Sequence, residues 1–254
     1  MLINTVILFI RDTLPVFLLV SLVLAQASHI TRMLTLALIS GLILAMLTYS
    51  SLGTLSPMFN GGGFEWLKVV ALVVAWGAFC EWMRRLSAMH GTQTGWPFYI
   101  LVTMITLVNA VHFLIYSFAY WSSQQADMAL MVGTVIGLGI SCSVAVLLFV
   151  AVSAMQRQWP KRAMLSVFVA GQVASVAVLL EQINVLTESS RLWDTSNWVA
   201  DDSEYGHLLN VLFGYEATPS AAYVLVYLLV ALSPVVYGLI AARFPPVSSV
   251  ARSL

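Results

Sequence analysis

The sequence predicts an all-α integral membrane protein with seven transmembrane helices, N-terminus outside and C-terminus in the cytoplasm. Three observations carry that expectation. The first is composition. Of 254 residues, 60% are hydrophobic and only 9% charged, and the mean hydropathy is +0.92. That is too little charge to keep a water-soluble domain solvated. The second is length. Apolar runs able to cross about 30 Å of hydrocarbon, roughly 20 residues each, fall at about 3–26, 33–51, 64–86, 97–121, 128–154, 164–187 and 221–243. The third is charge asymmetry. The loops after the first, third and fifth runs, with the C-terminus, hold Arg32, Arg84, Arg85, Arg157, Lys161, Arg162, Arg243 and Arg252. The opposite loops hold Arg191 beside Asp127, Glu188, Asp194, Asp201, Asp202, Glu204 and Glu216. Basic residues concentrate on the cytoplasmic side of membrane proteins, which sets the orientation.

The first run carries Arg11, Asp12 and Pro15 within otherwise apolar sequence. The charges argue for a retained helix rather than a signal peptide. Pro15 has no N–H, so the carbonyl of Arg11 loses its intrahelical partner. The third run opens with Glu65 and Lys68, spaced so that they can pair, and ends with Glu81 beside Arg84 and Arg85. Glu65, Lys68 and Glu181, near outer helix ends, either line a vestibule or snorkel to the interface. On the fourth run Asn109, His112 and Tyr116 share one face. The fifth contains Gly133 to Gly139, "GTVIGLG", a GxxxG pattern that marks close helix packing. In the long outer loop, 188–220, Ser203 caps a short interfacial helix with Leu208, Leu209, Leu212 and Phe213 on one side. Gly214 ends that helix, and Pro219 precedes the seventh run. Asp201, Asp202 and Glu204 either gather cations or form a solvated rim. Trp66, Trp121, Trp193 and Trp198 mark the outer interface, and Trp82, Trp96 and Trp159 the inner one.

Ionisable groups at membrane depth are functional candidates by default. At about 1.5 Å per residue, Asp12 lies roughly 15 Å below the outer surface. His112 lies roughly 13 Å down, with Asn109 one turn deeper. The two helices therefore bring these groups to a common level. Either they form a coordination site aided by the freed carbonyl of Arg11, or they are satisfied core groups. A net charge of zero gives no reason to expect a nucleic-acid partner. Cys80 and Cys142 lack CxxC spacing. No nucleotide loop, HExxH, GxSxG or CxxCH is present, so no enzyme is expected.

The segment "WDTSNWVADDSEYGHLLNVLFGYEATPSAAYVLVYLL", residues 193–229, resembles the last loop and helix of the oxidase-dependent iron permeases, the family of the yeast high-affinity iron permease and its bacterial iron/lead relatives. "FEWLKVVALVVAWGAFCEWMRR", residues 64–85, resembles that family's third helix. The likeness spans most of the chain and is strongest in its C-terminal third. It implies two inverted three-helix repeats plus a final helix. It also implies metal-ligating R-E-G-L-E motifs on the first and fourth helices. Here those places read Arg11-Asp12-Thr13-Leu14-Pro15 and Val108-Asn109-Ala110-Val111-His112. The motif is degenerate, and the surviving donors suit divalent iron or another divalent metal better than ferric iron.

The resemblance implies an inward metal-cation permease of a bacterial inner membrane. Asp12, His112 and Asn109 would be its ligands, with Arg11, Pro15 and Tyr116 supporting them. Glu65, Glu181, Asp201, Asp202 and Glu204 would form an outer vestibule. The transported cation would be the only metal, with no permanent cofactor. The alternative, motivated by the loss of glutamates, is a non-transporting subunit that anchors or stabilises a periplasmic metal-binding or redox partner. A proton relay through His112 is a third reading. The lipid bilayer is the surrounding partner in each case, and a homo-oligomer is compatible with all three.

Overall fold

The computed structural model describes residues 2–26, 31–88, 95–122, 128–187 and 189–243. Helices dominate: α1 (Leu2–Gln26), α2 (Thr31–Ser50), a short α3 (Leu52–Leu55), α4 (Gly63–Ala88), α5 (Trp96–Ser122), α6 (Met128–Ser153), α7 (Gln158–Gln182), α8 (Glu204–Phe213) and α9 (Ala221–Arg243). Six of them, α1, α2, α4, α5, α6 and α7, are long and apolar enough to cross a membrane, and α9 contributes the shorter apolar stretch Ala221–Val236. This is a multi-pass helical membrane protein. Asp127, Glu188 and Arg252 lie outside the described residues, as do the side chains of Trp121 and Arg243.

Packing follows a paired pattern. α1, α4, α5 and α7 form the interior, where Leu14, Leu72, Phe79, Trp82, Leu101 and Phe168 are fully or almost fully buried. The Trp82 and Phe98 rings meet at 5.2 Å and an interplanar angle of 59°. α6 packs along α1, and α2 packs along α5. Both outer helices turn large apolar side chains away from the protein, among them Leu36, Leu42, Met46, Val135, Leu147 and Val150. Such a surface fits hydrocarbon rather than water. α9 lies against α7 and α4.

Glycine lets the outer helices approach. A Cβ on Gly137 of α6 would meet the Cβ of Phe9 on α1 at 2.9 Å. Gly133 is buried as well, so the GxxxG does face a helix. The hydroxyls of Thr13 and Ser141 join the same pair at 3.0 Å. Pro15 is buried within a helix that runs unbroken through it.

One end of the bundle is held by cations. Lys161 donates to the carbonyl of Ala25 near the end of α1 at 3.3 Å, and Arg162 to that of Leu86 on α4 at 3.2 Å. Helix C-termini leave carbonyls unpaired and attract positive charge. Glu81 accepts from Arg84 at 2.7 Å and from Arg85 at 2.8 Å. Arg85 also lies 5.4 Å from the centre of the Trp96 ring. The first two contacts explain the earlier start of α7. α7 begins at Gln158 rather than near 164 and ends at Gln182 rather than near 187. Its first turns tolerate Lys161 and Arg162 because both charges cap neighbouring helices.

Candidate functional site

The opposite end carries α8. Ser203 caps it by accepting from the Gly206 N–H at 3.0 Å. Gly214 ends it at φ +68°, where glycine is favoured. Leu208 and Leu212 pack on the core and Val211 is buried, whereas Phe213 is exposed. The end of α8 touches α7 very closely, since a Cβ on Gly171 would fall 2.8 Å from the Gly214 Cα. The loop is tied down by Tyr215, whose hydroxyl donates to the Val199 carbonyl at 2.9 Å. Asp201 accepts from the Ala217 N–H at 2.7 Å. Exposed Asp194 is held below the usual carboxylate range by the Ser196 hydroxyl and N–H.

Beneath this loop lies a cavity of about 470 Å³. α4 contributes Lys68, α5 contributes His112 and α7 contributes Gln182, while Asp201, His207 and Glu216 come from the loop and α8. A second recess of about 220 Å³ lies beside it and holds Glu181, Arg191 and Glu216. Glu216 therefore faces both. Its Oε2 is buried and has no hydrogen-bond partner among the described residues. Burial, followed by the neighbouring Asp201, raises the pKa of this carboxyl.

The residues singled out in the sequence divide into three places. Asp12 is almost fully buried and accepts from the adjacent Arg11 at 3.2 Å. The Arg11 guanidinium lies 5.3 Å from the centre of the Tyr116 ring, so α1 and α5 do meet at this level. Asn109 donates to the Gln172 side chain on α7 at 3.2 Å and to the Ile105 carbonyl at 2.9 Å. His112 lies against Phe64, ring centres 5.8 Å apart, and opens into the cavity. It sits in the field of both Lys68 and Arg11. Among the described residues, no group of three or more His, Cys, Asp or Glu side chains is placed to hold a metal ion.

The vestibule residues divide too. Asp201 lines the larger cavity, while Glu181 accepts from Ser189 at 2.9 Å in the smaller. Glu204 borders an apolar groove between α1 and α6, and Asp202 is simply exposed. Glu65 and Lys68 form no ion pair, contrary to the spacing argument. Helical side chains lean toward the N-terminus, and the Lys68 ammonium reaches one position further back, 4.6 Å from the centre of the Phe64 ring. Sequence reasoning missed Glu216, His207 and Gln182 as cavity residues. Their separation along the chain left no periodicity to find them by. Comparison with known proteins adds no relative: no family model matches the chain, and no curated protein or solved structure matches it.

Proposed function

We propose that this protein is a divergent, iron-permease-like transporter that moves a transition-metal cation, iron foremost, inward across a bacterial inner membrane. In this reading seven helices span the bilayer with the N-terminus outside, and α1–α4 and α5–α7 form inverted repeats. The observation that carries it is the cavity lined by His112, Asp201, His207 and Glu216, with the buried Glu216 Oε2 left without a donor among the described residues. An unpaired buried carboxylate oxygen in a cavity that two histidines also line can attract a divalent cation in transit, without a preformed three-ligand cluster among the described residues. The segregation of the bases Lys161, Arg162, Arg84 and Arg85 to the opposite end supports the orientation. The exchange of partners, α1 with α6 and α2 with α5, supports the repeats, because a two-fold axis relating them interconverts those pairs. Cation flux into liposomes holding the purified protein tests the proposal, and no flux above empty liposomes would refute it.

A second reading has its own observation. Asp12 is engaged by Arg11, and Asn109 by Gln172, so the level that would correspond to a permease ligand site is filled by protein contacts. A permease-like subunit that anchors a periplasmic metal-binding or redox protein fits this arrangement. A stoichiometric partner on purification, together with no flux, would favour it.

A further inference from the structure

Of the buried charged residues Asp12, Lys68 and Lys161, Lys68 alone lacks a hydrogen-bond or ion-pair partner among the described residues. It is 7% exposed, and it makes no hydrogen bond and no ion pair among the described residues. Glu65 lies within electrostatic reach but does not bridge to it. Its ammonium rests against the face of Phe64, 4.6 Å from the ring centre. Taking an ammonium out of water costs far more than an aromatic face returns. A lysine retained in that state can accept an anionic partner, and Lys68 lines the larger cavity.

The other polar groups of the cavity narrow the chemistry. Ser175, Asn210 and Tyr223 donate to the carbonyls of Gln172, Tyr215 and Gly214. That leaves Lys68, His112, Gln182 and His207 as donors not committed to the protein among the described residues. Their side chains come from α4, α5, α7 and α8, so the donors surround the space instead of lying on one wall. The charges are polarised. Lys68 and the field of Arg11 act on His112 at one side, whereas Asp201 and Glu216 act on each other at the other. Apolar walls from Leu72, Val108 and Leu179 complete the cavity.

We infer that this cavity binds a small organic carboxylate, with one carboxylate group on Lys68 and hydrogen bonds from His112 and Gln182. Charged hydrogen bonds of this kind are the strong ones. A cavity of about 470 Å³ is roomy for an inorganic anion and suits a ligand of organic-acid size. The inference shares the cavity with the permease reading but does not rest on it, because it is argued from the uncommitted donors of Lys68, His112 and Gln182 rather than from the carboxylates of Asp201 and Glu216.

Citrate is the probe, titrated calorimetrically into detergent-solubilised full-length protein without added metal, with inorganic phosphate at equal ionic strength as the comparison. Citrate is expected to bind more tightly than phosphate. K68Q is expected to weaken citrate binding by about tenfold or more, and K68R to retain most of it. Should K68Q fail to fold, Gln182→Leu is the second variant and is expected to weaken binding in the same direction. No citrate binding by the wild-type protein, equal binding of phosphate, or unchanged binding in K68Q would overturn the inference. Citrate binding without cation flux would leave this site standing and remove the permease. His112-dependent flux without citrate binding would do the reverse.

Discussion

Gly41 of α2 and Thr106 of α5 approach so closely that a Cβ added to the glycine would fall 2.7 Å from the threonine Cβ. Gly137 and Phe9 repeat the relationship between α6 and α1 at 2.9 Å. Two outer helices thus seat on two inner ones through a glycine each. Gly41→Ala should lower stability by about 1–3 kcal/mol through overpacking. Gly139→Ala, where an added Cβ meets nothing within 4 Å among the described residues, should be close to neutral. Thermal melts in one detergent check the contrast, and equal effects at both positions would contradict the packing.

Asn109 and Gln172 tie α5 to α7 near the candidate site. Hydrogen bonds between helices within membranes average about 0.6 kcal/mol and reach about 1.7. A double-mutant cycle of Asn109→Leu and Gln172→Leu should return a coupling energy within that range. A coupling of zero would show that the two side chains act independently.

Ser203 closes the first turn of α8 and so holds the roof of the cavity. Ser203→Ala should cost about 1 kcal/mol, while Ser203→Asp should be tolerated, since aspartate caps equally well. Amide hydrogen exchange over 204–213 reads this directly. Faster exchange is expected in the alanine variant alone.

Glu216 makes stability depend on pH. Burial raises its folded pKa above the ordinary glutamate value. The native state therefore holds a proton that the unfolded chain has lost, and stability falls as pH rises through the interval between the two values. Above the folded pKa the loss is complete. Glu216→Gln should remove this slope and stabilise the protein at neutral pH. Melting temperature against pH, from about pH 4 to pH 8, would show it. The same substitution should weaken cation binding, because protons and cations compete for one carboxylate.

Much of the helical frame is legible because lipid demands it. A chain crossing hydrocarbon must pair its own backbone groups, so long apolar runs can only be helices. Ser203 and Gly214 are readable for a similar reason, since capping is local chemistry. The site is less legible. The register of Asp12 and His112 places them at one level, yet register does not say which neighbour satisfies each group. Asp12 turned to Arg11 and Asn109 to Gln172, a partner on a helix that the depth argument did not include. Lys68 was visible as a buried charge, but its direction depended on leaning back over Phe64 and not on spacing from Glu65. The cavity joins α4, α5 and α7 to a loop far along the chain, and long-range closure of that kind has no periodic signature.

Whether the cavity passes a cation is read from the rate of divalent iron entry into liposomes carrying wild-type protein, His112→Ala or Asp202→Asn. His112 lines the cavity, whereas Asp202 is exposed at the surface. His112→Ala should slow entry by about tenfold or more, the loss of roughly 1.4 kcal/mol or more of interaction, and Asp202→Asn should leave entry at the wild-type rate. Entry through His112→Ala at the wild-type rate would contradict passage through this cavity.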